Sequence, residues 1–448
     1  MESAVDLVTP VERAISLLSK MDLDVFDVTT TYSRSLSIGI LGKGIKETSS
    51  LDDLGIGVRA YKNRGKGIAF SQSLDPADVE ATVRKAVAFA KMAQPDPYFK
   101  GMPGPSRAPE IMGLFDDEIR YLDLERAAKF VKAMLSASEG VRVGAKFSGG
   151  MSAGYWMSHL MTSTGVSFSE ERTHIGAFLS PTYREGDDVG SSFEYDYAIS
   201  LGEIDFVKIG KRAAEKAVGQ FGSRKVESGV LPIIVSPDSS GSLCSGLLEA
   251  ISGESAVKGR TFASNCLGKQ VAPEVFGIVD DGTIRGAIES STYDGEGIPR
   301  RPTEVVSEGR IMTFLHNSYS AGIAGVETTG HAQRGGYGGY VGAGPTNIRV
   351  RAGDSSLDEM VAETKRGILV EQTSFFPNMV SGELSSTIDE GFLIEDGERR
   401  HPVRNLMVGG YMLDLYGDIE AVSKEGRELG KGHFFPAIKI GRVKLAGK

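Results

Sequence analysis

Cysteine is almost absent. Cys244 and Cys266 are the only two in 448 residues, too few to form a disulfide framework. Histidine is sparse as well. The six are His159, His174, His316, His331, His401 and His433, and no two stand three or four apart, so no helical face carries a paired imidazole ligand set. No apolar run approaches the ~20 residues that cross a bilayer. Positive charge is in deficit, with 50 Lys and Arg against 59 Asp and Glu and a net charge of -9. No basic run is longer than two residues, as in Arg300-Arg301 and Arg399-Arg400. A nucleic-acid binder needs a basic face that displaces counterions from phosphates, and no such face is visible. The first residues, MESAVDLVTPVERAISLLSKM, lack the basic start and long apolar centre of a signal peptide. The expectation is a cytoplasmic protein with no membrane and no nucleic-acid partner.

Glycine is the abundant residue, 57 of 448, without a collagen period. It reads as turns, bulges and close backbone approaches in a strand-rich fold. The N-terminal segment predicts an amphipathic helix with Val11, Ala14, Ile15 and Leu18 on one face. Two β-branched stretches follow, VFDVTTTYS and RSLSIGILGKGIKET. Then GIGVRAYKNRGKGIAFSQ predicts a hairpin turning at Lys62-Asn63-Arg64-Gly65, where Asn and Gly tolerate positive φ. A helix follows with Asp75 at its N-cap, Pro76 at its first position and an apolar stripe of Val79, Val83, Ala86, Val87 and Ala90.

PDPYFKGMPGPSRAP holds neither helix nor central strand and is expected to be a loop. Further helices are expected over about 123–138, 204–220 and 239–252. Strands are expected in VRVGAKFSGG, MSAGYWMSHLMTSTG, VSFSEERTHIGAFLS and SSFEYDYAIS. The polar, glycine-marked FGSRKVESGVL stands between a helix and the apolar LPIIVSP. It sets expected domains of 1–225 and 226–448. The fold class is α+β: an N-terminal α+β domain with an antiparallel sheet, and a C-terminal antiparallel β-rich domain of barrel or sandwich type.

Arg334 to Gly344, RGGYGGYVGAG, is a glycine-rich loop. It lacks the Lys-Ser/Thr of a phosphate cradle and reads as a flexible or peptide-lining segment. IVDDG and YDGEG lack the alternating oxygens of a calcium loop and read as turns. No G-x-S-x-G elbow is present.

Several stretches together resemble the TldD/PmbA family of peptide-processing metalloproteases. They are Gly55-Ile56-Gly57-Val58-Arg59; Thr162-Ser163-Thr164-Gly165; Glu227-Ser228-Gly229 before Val235-Ser236-Pro237; Gly259-Arg260-Thr261-Phe262; Ile278-Val279-Asp280-Asp281; Asp294-Gly295-Glu296-Gly297-Ile298-Pro299; Ser381-Gly382-Glu383-Leu384-Ser385; and Pro402-Val403-Arg404-Asn405-Leu406. The family's catalytic subunit has an H-E-x-x-x-H helix, whose histidines stand about 140° apart around the axis, and a cysteine near the C-terminus. The equivalent stretch here is Leu247 to Glu254, LLEAISGE, with Leu248 and Gly253 at the histidine positions and Glu249 at the glutamate. No cysteine follows Cys266.

The resemblance is therefore to the PmbA/TldE type. It implies no zinc, cofactor or catalytic residue in this chain, with Glu249 the sole candidate for a general base. It implies zinc in a TldD-type catalytic subunit that pairs with this chain, or else a homodimer, and unfolded peptides as substrate. Two other readings stay open: a stand-alone hydrolase with a site of another kind, and a self-associating peptide-binding module. The family's older label, modulator of DNA gyrase, implies no contact with DNA here.

Overall fold

The computed structural model describes residues 5–447. Helix α1 (Val8–Leu18) buries Val11, Ala14 and Leu18, the face set by the apolar spacing. A long antiparallel sheet follows: β1 (Val25–Gly42), β2 (Gly44–Lys62) and β3 (Gly65–Ser71) come before α2 (Pro76–Met92). The 94–116 connection crosses without helix or strand. It leads to α3 (Asp117–Arg120), α4 (Leu124–Val141), β4 (Lys146–Thr162), β5 (Ser167–Glu185), β6 (Asp188–Ser191), β7 (Glu194–Ala198) and α5 (Phe206–Gly219). The strand order is β3-β2-β1-β4-β5-β6, with β7 also on β5.

VFDVTTTYS and the first part of RSLSIGILGKGIKET, expected as separate strands, form one strand, β1, and the end of the second stretch opens β2. The two around Gly149-Gly150 likewise form β4. In each case a partner strand runs the full length beside them, and pairing carries the ladder through the glycines. The turn at 62–65 is as expected, but Asn63 and Arg64 take the positive φ angles, 49° and 65°, and Gly65 does not. Asp75 sits at the N-cap of α2 without a capping hydrogen bond. Asp123 and Asp205 do cap α4 and α5, accepting from Arg126 N and Lys208 N.

The first sheet has two unlike faces, because side chains alternate along each strand. On β1 the even-numbered Val28, Leu36, Ile38 and Ile40 are buried in apolar clusters with the helices. So are Met151 and Ala153 of β4, and Ile175, Ala177 and Leu179 of β5. The opposite face carries Thr29 and Thr31, Trp156 and Ser158, and Glu170 and Arg172. Cross-strand rows align Thr31 with Ser158 and Ser158 with Glu170. That polar face turns toward the second half of the chain.

The second half opens with β8 (Gly229–Val235), α6 (Ser240–Ala250) and α7 (Gly253–Val257). The helix expected over 239–252 thus ends early. Ile251 and Ser252 intervene, and Gly253 takes φ +60°. A twelve-stranded sheet assembles around β8 and the long strand His433–Ala446. The α+β class holds, but this sheet is mixed. Ile368 to Val370 runs parallel to β8, and Ile348–Val350 meets His433–Ala446 in parallel. Its order leaves two ends, so it is no closed barrel.

The glycine-rich 334–344 loop ties the halves together. A Cβ on Gly57 of β2 would meet Tyr337 O at 1.7 Å, and Tyr337 donates its hydroxyl to Asp53 at 3.1 Å. Only glycine lets these two backbones approach so closely.

Candidate functional site in the cleft between the two sheets

A cleft of about 660 Å³ lies between the polar face of the first sheet and the second half of the chain. Its floor is Thr29, Thr31, Trp156, Ser158, Phe168, Glu170 and Arg172, and its far wall holds Tyr293, Asp294, Arg300 and Arg334. Ser245 and His433 also line an adjoining hollow of about 370 Å³, together with Ser239, Gly241 and Ser242 at the start of α6. Phe168, Glu170 and Tyr293 are shared with a further groove of about 660 Å³ beneath residues 108–115. The size and the mixed polar and aromatic lining are those of a ligand site.

The charges in and beside the cleft fall into two kinds. Asp294 is satisfied by backbone amides: it accepts from Glu296 N (2.8 Å), Ile298 N (3.0 Å) and Ala332 N (3.0 Å). Burial still pushes it up to about 6. Asp27 is held between Arg59 (2.5 Å) and Arg334 (3.3 Å). Burial pushes its carboxyl up, but the two guanidiniums outweigh burial and hold it below the usual range.

Four other groups make no ion pair among the described residues. Arg300 spends its guanidinium on Ser291 Oγ and on the carbonyls of Gly330 and Ala332. Arg172 donates to the Ile288 carbonyl. One oxygen of Glu170 is buried with no hydrogen-bond partner. Glu170 and Glu289 are both raised by burial, which Arg172 and Arg300 only partly offset.

The residues picked out from the sequence lie at one end of this cleft or outside it. Glu249 is exposed on α6. By helical spacing it shares a face with Ser242 and Ser245, which line the hollow. Leu248 is fully buried in the apolar core of the second half. Gly253 donates its N–H to Leu315 O at 2.8 Å, and a Cβ there would meet Ala343 at 3.4 Å. Glu254 pairs with Lys258 at 2.7 Å.

This donor set does not fit zinc. Leu248 and Gly253 offer no ligand atom, and Glu249 stands without histidines. Among the described residues no three His, Cys, Asp or Glu are grouped to hold a metal ion.

Cys244 and Cys266 are buried and free. Burial pushes the Cys244 thiol up to about 12. Three histidines are tied into local bonds. His331 Nε2 lies 2.9 Å from Asp280 Oδ1, His316 Nδ1 lies 3.1 Å from Ser320 Oγ, and His433 Nδ1 accepts from Ile348 N at 3.1 Å. Burial pushes His316 and His433 down to about 4.

Sequence reading missed Trp156, Glu170, Arg172, Arg300 and His433 as cleft residues. A signal for part of this was present. In V-S-F-S-E-E-R the residues Phe168, Glu170 and Arg172 alternate with polar neighbours and so share one face of a strand.

Two sheets facing each other across a polar cleft define an α+β protein with a candidate site between its halves. By comparison with known proteins, the chain belongs to the PmbA/TldD metallopeptidase family. Residues 27–90 match the family's domain 1, residues 117–221 its central domain and residues 228–447 its C-terminal domain. It is 24% identical to the metalloprotease PmbA homolog of Haemophilus influenzae, across 93% of this chain and 90% of that one. It is also 24% identical to the metalloprotease TldD homolog of the same organism, across 96% and 94%. Its fold superposes on the crystal structure of TldE from Thermococcus kodakarensis with a TM-score of 0.87, at 25% identity over 98% of this chain and all of that one.

Proposed function

We propose that this chain is a zinc-free, PmbA/TldE-type subunit that assembles with a TldD-type catalytic chain into a metalloprotease acting on unfolded peptides in the cytoplasm. The observation that carries this reading is the state of the two ligand positions. Leu248 points into the core and Gly253 sits in a left-handed turn against Ala343, so both positions have become packing and turn residues. Water activation at neutral pH through a metal needs three protein ligands and an open position. In this reading the zinc resides in the TldD-type subunit. This chain contributes the wall of a chamber and a surface for the substrate, with the first domain over 1–225 and the second over 226–448. Relatives named TldD and TldE support the pairing.

The test is cleavage of an unstructured peptide by this chain, by a TldD-type subunit, and by the two mixed. The expected result is little cleavage by this chain alone and a chelator-sensitive gain in the mixture. Strong chelator-sensitive cleavage by this chain alone would overturn the reading. A mixture no more active than the TldD-type subunit would remove the partner role and leave a self-associating peptide binder.

A further inference from the structure

Strand β5 is paired on one side along nearly its whole length, from Ser167 to Thr182 on β4. Its other side takes β7 over Ile175–Leu179 and β6 from Thr182 to Glu185. Between residues 167 and 172 that outer side has no strand. Thr173 marks its direction: its N–H leaves the sheet and donates to Leu114 O at 3.1 Å. In an antiparallel ladder the backbone groups of alternate residues point to the same side. Those of Ser167, Ser169 and Glu171 therefore point outward with Thr173. Among the described residues, the amides of Ser169 and Glu171 meet no partner on that side.

The edge forms one wall of the groove of about 660 Å³ whose opposite wall is residues 108–115. That opposite wall is pinned in place: Ile111 N donates to Thr292 Oγ1 at 3.0 Å, and Gly286 N donates to Met112 O at 3.0 Å. A free strand edge held open by an anchored wall is the geometry for adding one more strand.

The chemistry of the groove selects the occupant. Its charged lining residues are Glu110, Glu170 and Glu171, and no lysine or arginine lines it. Glu170 reaches through to the cleft, and one of its oxygens is buried without a hydrogen-bond donor. The remaining lining is apolar, including Ile111, Leu114 and Phe168, with Phe168 against Tyr293 at 5.0 Å between ring centroids.

We propose that the outer edge of β5 at Ser167–Glu171 binds an extended peptide as an added strand, and that the site selects segments alternating cationic with apolar side chains. Main-chain bonds at the outward amides and carbonyls, repeating every ~6.8 Å along the strand, supply affinity for any extended backbone. A lysine or arginine of the peptide supplies the missing donor to Glu170. The choice of a peptide as ligand rests on the proposed function. The position of the site and its charge preference rest on the edge and its lining.

The test is direct binding to the full-length chain alone, by fluorescence anisotropy of a labelled, unstructured peptide alternating lysine and valine. Two further peptides carry N-methyl groups on alternate residues, in the two possible registers. One register is expected to weaken binding about tenfold or more, the loss of a main-chain bond or two, and the other by less than about twofold. Replacing the lysines by glutamates is expected to abolish measurable binding. In the protein, Glu171→Pro removes an outward N–H at an edge position where proline is tolerated, and is expected to weaken binding about tenfold. Glu170→Gln is expected to weaken the lysine peptide severalfold and to flatten its salt dependence.

Equal effects of the two methylation registers, or equal binding of the glutamate peptide, would overturn the proposal even if the protein variants fail to fold. Binding retained as predicted, with no gain in cleavage on mixing subunits, would refute the partner role and leave this site standing. The converse would refute the site and leave the role.

Discussion

Two groups of charge lie between the halves of this molecule, and they are built on opposite plans. On one side, Glu194 and Asp238 are enclosed by Lys216, Arg212 and Arg427. Lys216 reaches Glu194 at 2.9 Å and Asp238 at 2.5 Å. Arg427 reaches each at 2.5 Å. Glu194, Lys216 and Arg212 come from the first half, Asp238 and Arg427 from the second. The charges close on one another, and burial makes them mutually dependent. On the other side, Glu170, Arg172, Glu289 and Arg300 share one cleft without a single ion pair among them. The closed cluster fixes how the halves sit. The open one leaves charges available, which is what a binding surface requires.

The largest expected effect tests the closed cluster. Glu194→Ala removes one of the two anions that the cations share and leaves the buried Lys216 and Arg427, with the half-exposed Arg212, to Asp238 alone. A loss of about 3–5 kcal/mol in unfolding free energy is expected, measured by chemical denaturation. A loss below about 1 kcal/mol would put the cluster in the class of surface ion pairs and end the contrast.

Next comes Glu390, which sits behind the closed cluster with one carboxylate oxygen buried and unpartnered. Burial pushes it up to about 7 from an ordinary value of 4.5. The folded state therefore holds its proton more tightly than the unfolded state. Stability should fall as pH rises from about 4.5 to about 7, and stay lowered above that. Glu390→Gln should flatten that limb and raise stability at pH 8 by about 2–3 kcal/mol. Thermal melts across this range would show it, and an unchanged slope would remove Glu390 from the account.

His316 and His433 should act with the opposite sign. Both are pushed down to about 4, so their buried neutral forms stabilise fully above the unfolded value near 6.5. That contribution drains away as pH falls from there to about 4. His433→Gln should shallow the acid limb of the same melts. An acid limb left as steep as in the parent would exclude His433.

The smallest effects on stability belong to the open cleft. Arg172→Ala and Glu249→Ala should each change stability by no more than about 0.5 kcal/mol. Arg172 holds only a carbonyl, and Glu249 is exposed. Glu249→Ala should also leave cleavage by the mixed subunits unchanged. A large loss of cleavage would instead make Glu249 a general base and revive the stand-alone hydrolase.

The candidate site was legible only in its negative half. By the resemblance, Leu248 and Gly253 stand where the family's catalytic subunit has histidines, and neither side chain has a donor atom. Glu170 and Arg172, 119 and 117 residues before Glu289 by number, give no sign of sharing a cleft with it. Their alternation marks a common strand face but not what that face meets. The closed cluster is equally silent, because Glu194 and Arg427 are brought together only when β7 and the strand Ile419–Leu429 pack.

The sequence by itself determined the local elements: the helix faces through apolar spacing, the turn at 62–65 through residues that accept positive φ, the start of α2 at Pro76, and the lack of donor atoms at Leu248 and Gly253. These are short-range properties, set by neighbours a few residues apart. Tertiary structure alone decided that β1 and β4 run unbroken, since partner strands hydrogen-bond across what looked like breaks. It decided the parallel pairings in the second sheet, and which polar face of the first sheet meets which wall. It also decided which charges find partners. Those outcomes depend on desolvation and on contacts between residues far apart in the chain, and no local pattern carries that information.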